Sequence, residues 1–120
     1  MLRLLAVIAT VLNVFVGLAL GATHGAALNL VGVPGPLPFY GDLLAVFLTG
    51  SGLGFIPAIR DPQSQRFYLW VMGVGVKLVA ASLFLRVWFA GVAPAIVLVG
   101  CVADALLAAL IAAALLKSSK

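Results

Sequence analysis

Two side chains in this sequence are suited to chemistry on each other: Lys77, a primary amine, and Asp104, a carboxylate, each set in a long apolar run. Such a pair trades protonation states when a substrate or a conformational change separates its members, so intramembrane ionisable residues mark proton relays, ion pathways and ligand counter-ions. The same pair can instead be a static clamp between helices. Asn13, Thr49 and Ser51 are further polar side chains within apolar runs. The rest of the inventory narrows the chemistry. With no phosphate loop, HExxH motif, paired carboxylates or Ser-His-Asp set, no catalytic residue, cofactor or enzyme activity is assigned. The single Cys101 excludes an intramolecular disulfide and a cysteine-only zinc site. His24 and Asp42 could pair or share a metal, but two ligands fall short of a site, and no metal is assigned.

The elements that must position these groups follow from composition. Of 120 residues, 65% are hydrophobic and ten are charged, seven Lys or Arg and three Asp. A soluble domain of this size could neither hide that much apolar surface nor present a charged exterior, so the solvent is lipid. The basic residues form no stripe, which sets nucleic acid aside as a partner despite a net charge of +4. About 20 mostly apolar residues span a bilayer. Four runs qualify: Leu4 to Gly21, Leu43 to Ile59, Phe67 to Phe89 and Ala93 to Leu116. The first resembles a signal peptide, yet its apolar core is too long for one. The fold class is therefore all-α, a single polytopic four-helix membrane bundle.

Orientation follows from basic residues in short flanks. Arg3, Arg60, Arg66, Lys117 and Lys120 lie on one side and Arg86 alone on the other, which predicts both termini in the cytoplasm. Phe67, Tyr68 and Trp70 suit one interface as aromatic anchors, and Phe39, Tyr40, Trp88 and Phe89 the other. The external link, residues 22–42, carries Pro34, Pro36 and Pro38 and reads as an apolar, non-helical cover at the bundle mouth, with His24 and Asp42 there. Gly91 and Pro94 mark a tight turn, making the last two helices an antiparallel hairpin.

Depth can be counted at about 1.5 Å per residue. Lys77 then lies roughly 15 Å from the start of the third helix and Asp104 roughly 18 Å from the end of the fourth, nearly level. Asn13, Thr49 and Ser51 fall in the same slab. Each strongly polar residue also sits on a stripe of small residues, Asn13-Gly17-Gly21, Gly73-Lys77-Ala81 and Gly100-Asp104-Ala108, the kind of face on which membrane helices meet. Lys77 and Asp104 are thus expected to face inward and toward each other. The expected partners are the bilayer itself and, through small-residue faces, a second copy or a larger membrane complex.

The order Tyr40-Gly41-Asp42 opening helix two, Gly52-Leu53-Gly54 within it, Ala58-Ile59-Arg60-Asp61-Pro62 closing it, Gly73 to Lys77, and a late Asp104 resembles the DoxX-like group of small four-helix bacterial inner-membrane proteins. The resemblance covers most of the chain; it implies a four-helix fold and a bacterial cytoplasmic membrane, and no reaction. Small multidrug-resistance transporters share the size and helix count, but their membrane-embedded Glu in helix one has no counterpart in a chain without Glu, where Asn13 stands at that depth. Two functions remain open. One is a binding or transport protein for a proton, a small solute or a lipophilic molecule, with Lys77 and Asp104 as a switchable pair. The other is an accessory or assembly protein in which the pair is fixed.

Overall fold

A computed structural model describes residues 1–23, 38–91 and 95–118, and among them there are helices and no strand. α1 runs over Leu2–Ala22, α2 over Pro38–Gly54, α3 over Ile56–Arg60 and α4 over Arg66–Tyr68; a π-helical stretch, Leu69–Gly75, leads into α5, Val76–Phe89, and α6 covers Ile96–Lys117. They group into four spans long and apolar enough to cross a membrane, Leu2–Ala22, Asp42–Arg60, Arg66–Phe89 and Ile96–Lys117, the mark of a multi-pass membrane protein. Large apolar side chains such as Phe15, Val46, Val79 and Val102 are exposed along every span. A helix satisfies its own backbone, so such runs are stable as helices wherever water is scarce.

The structure departs from the expected boundaries at four places. The second helix begins at Pro38, so residues 38–42 of the expected external link are helical. A proline in the first helical turn loses nothing, because that N–H has no helical partner and its φ is already set. Residues 24–37 of the link, His24 among them, lie outside the described residues. The second span is also not one regular helix over 43–59, because it breaks at Phe55. Pro57 has no N–H to offer the carbonyl of Leu53, and the N–H of Phe55 turns back to the carbonyl of Gly52 at 3.1 Å. In the third span the π-helical stretch replaces the expected regular helix; it contains Gly73 and Gly75, which yield more easily than residues with a Cβ. The last helix starts at Ile96, three residues later than expected, with Ala95 still in the turn. Gly91 supplies that turn with φ +73°, whereas Pro94 lies outside the described residues.

The first two spans form one antiparallel hairpin, α1 packing on α2, and the last two form another, α5 with the π stretch packing on α6. The hairpins join through α1 against α6, and α3 also packs on α1. An apolar core formed by Leu5, Ala9, Phe55, Leu69, Leu107 and Ile111, with Leu2, Leu115 and their neighbours, draws on all four spans. It lies toward the end that carries Arg3, Arg60, Arg66 and Lys117, hereafter the basic end. Arg66 stitches that end together: its guanidinium donates to the Ser118 hydroxyl and to the Leu115 carbonyl, each at 3.0 Å. A cation on the last carbonyls of α6 also opposes the helix dipole there.

Candidate functional site

The site begins where α1 and α2 touch backbone to backbone. A Cβ added to Gly52 would lie 2.9 Å from the Val14 nitrogen and 3.0 Å from the Asn13 Cβ; one added to Gly17 would lie 2.7 Å from the Thr49 nitrogen. These approaches flank Asn13 and bring its amide to Ser51, whose hydroxyl accepts from Asn13 Nδ2 at 3.2 Å and donates to the Leu48 carbonyl at 3.1 Å. The other end of the amide faces the second hairpin. Lys77 Nζ donates to Asn13 Oδ1 at 3.4 Å and to Asp104 Oδ1 at 3.4 Å. Each span thus contributes one side chain to a continuous polar chain, Ser51, Asn13, Lys77 and Asp104. The Asn13 amide is oriented by chemistry, since its carbonyl oxygen can only accept and its NH2 can only donate.

The two ions differ in setting. Lys77 is 5% exposed, while the side chain of Asp104 retains 25% of its accessible surface. Lys77 bridges two acceptors at long range instead of seating on one, since a closed ammonium–carboxylate contact measures about 2.7–2.9 Å. This arrangement bears on switching. If Asp104 takes up a proton, the ammonium loses its counter-charge and keeps one hydrogen-bond acceptor, the Asn13 oxygen.

Tyr68 joins the site although its sequence position reads as an interfacial anchor. Its hydroxyl donates to the Ser51 backbone carbonyl, and its ring meets Phe55 edge to face, with centroids 4.9 Å apart. The reason lies in the break of the second span. In an unbroken helix the Ser51 carbonyl would accept from the Phe55 N–H; that N–H has gone to Gly52, and the tyrosine hydroxyl takes the vacated place. Gly54 leaves the room, as a Cβ there would meet the Tyr68 ring carbon Cζ at 2.6 Å. Pro57 and Gly54 were the signals in the sequence.

The other singled-out residues fall elsewhere. Thr49 lies against Gly17 and has no hydrogen bond to the chain from Ser51 to Asp104. Asp42, half-buried near the start of its span, stands nine residues before Ser51, about 13 Å along the helix, and is no part of the network. Cys101 is a half-buried free thiol. Among the described residues no three His, Cys, Asp or Glu side chains come together as a metal would need. No family model, no curated protein and no solved structure matches this chain, and its function is argued from the residues.

Proposed function

We propose that the protein is a multi-pass protein of a bacterial cytoplasmic membrane, both termini inside, whose Lys77–Asp104 pair takes up and passes on a proton. The excess of Arg and Lys at the basic end supports the orientation. The DoxX-like resemblance supports the bacterial membrane and no particular reaction. One observation carries the functional reading: the Lys77–Asp104 ion pair sits in a four-span polar chain with its carboxylate a quarter exposed and its amine sealed. A carboxylate reachable from outside the pair is the member through which a proton enters and leaves. The second reading, a static clamp in an accessory protein, is favoured by a different fact: among the described residues no buried side-chain nitrogen or oxygen lacks a partner, the state a fixed network needs. Proton flux separates the two. Purified protein in liposomes containing a pH-sensitive dye, driven by a potassium diffusion potential, is expected to acidify the lumen faster than protein-free liposomes, and Asp104→Asn is expected to abolish the difference. Flux equal to that of empty liposomes would leave the clamp as the function.

A further inference from the structure

At the basic end a cavity of about 710 Å³, open on one side, lies between the start of α1, the turn after α3 and the end of α6. Its wall is apolar, with Leu2 from α1 and Leu110 and Ala114 from α6; its rim is charged, with Arg3, Lys117 and Asp61. Leu110 stands seven residues before Lys117, so the groove descends about 10 Å from the charged rim along α6. Arg66, at the same end, is committed to Ser118 and Leu115 and is no part of the rim. Arg3 is oriented by one bond from its guanidinium to the Arg60 carbonyl at 3.3 Å, and a guanidinium has further N–H groups to offer. Lys117 makes no ion pair among the described residues.

We infer that this cavity holds one anionic glycerophospholipid of the phosphatidylglycerol type, its phosphate between Arg3 and Lys117 and its glycerol and upper acyl chain on the Leu2–Leu110–Ala114 wall. Charge selects the sign of the occupant. The cations of Arg3 and Lys117, with the Met1 amine also on the lining, outnumber the single carboxylate of Asp61 and leave the rim positive, and a phosphodiester balances it; basic pockets at the ends of membrane helices take anionic headgroups for this reason. The wall selects the class, because a free anion would leave it bare whereas a lipid covers it. The size is in range, since pockets for small ligands run to about 300–1,000 Å³. The inference shares with the preceding reading only the placement of these helices in a bilayer and is independent of the Lys77–Asp104 pair, so the two fail separately.

The test is retention of lipid by the whole protein. Protein delipidated in detergent is titrated with phosphatidylglycerol, phosphatidylethanolamine, phosphatidylcholine or inorganic phosphate, and bound lipid is read by native mass spectrometry. A one-to-one adduct with phosphatidylglycerol is expected, well ahead of the two zwitterionic lipids, and no protection of it by phosphate. Arg3→Gln with Lys117→Gln is expected to weaken that adduct about thirtyfold, from about fivefold per charge, while Arg86→Gln at the opposite end leaves it unchanged. Ala113→Phe, which fills the cavity and keeps both cations, is expected to abolish it and covers the case in which the double variant does not fold. Equal retention of phosphatidylcholine or phosphatidylethanolamine, displacement by inorganic phosphate, or an adduct indifferent to both the charge and the filling variants would overturn the inference.

Discussion

The bundle has two unlike halves, divided by the level of Asn13, Lys77 and Asp104. Toward the basic end, leucine, isoleucine and phenylalanine from all four spans close a common core, with Phe55, Leu69, Ile111 and Leu115 fully buried. Toward the other end the buried described residues are scattered and mostly small, Gly17, Leu20, Ala45, Ala81 and Val97, and Gly17 lies against Thr49 and Ala45 within the first hairpin. In lipid, apolar side chains gain little by leaving one apolar medium for another, so helices associate through close packing and hydrogen bonds. One half uses shape across all four spans. At its upper edge the polar chain takes over the joining of the two hairpins.

Removing one ion should therefore cost more than any single apolar change. Lys77→Met leaves Asp104 uncompensated and is expected to lower stability by about 3–5 kcal/mol, read as thermal unfolding in detergent; a loss below that of the apolar variants would deny the polar chain its joining role. Next comes Phe55→Ala, which opens a cavity in the packed half and removes the edge contact to Tyr68. About 3 kcal/mol is expected there, and a negligible change would mean that the four-span core is not cohesive.

Two smaller changes sharpen the contrast within the second span. Gly52→Ala forces a Cβ to 2.7 Å from Val14 Cγ2 and is expected to cost about 1–3 kcal/mol by overpacking. Gly50→Ala, with nothing within 4 Å, is expected to be neutral or to stabilise by up to about 1 kcal/mol, since glycine disfavours helix. Equal effects at the two positions would show that α1 and α2 do not meet at Gly52. The smallest loss is expected for Tyr68→Phe, about 0.5–1.5 kcal/mol for one hydrogen bond, with increased hydrogen exchange near the break at Phe55.

The four spans were legible because their apolar runs are long and their flanks charged. The level of Asn13, Lys77 and Asp104 was legible because helical rise is constant. Azimuth was harder to read. Thr49 and Ser51 share a level but stand about 200° apart around the helix, so only one of them can face Asn13, and the close approach of Gly52 to Asn13 selects Ser51. The break at Phe55 was written in Pro57 yet masked by an otherwise apolar run, and with it went the role of Tyr68. The π-helical stretch has no residue signature beyond its glycines. A helix start at Pro38 competes with the non-helical reading of a proline run, and the first-turn position decides it.

The central claim is that Lys77 and Asp104 act as a pair within the polar chain, and the complete double-mutant cycle tests it most directly. Wild type, Lys77→Met, Asp104→Leu and the double variant are compared by thermal unfolding in the same detergent. Both single variants are expected to lose stability, and the double variant to recover most of it, because no buried charge is then left unpaired. If the two single losses simply add in the double variant, the residues do not interact and the account of the site is wrong.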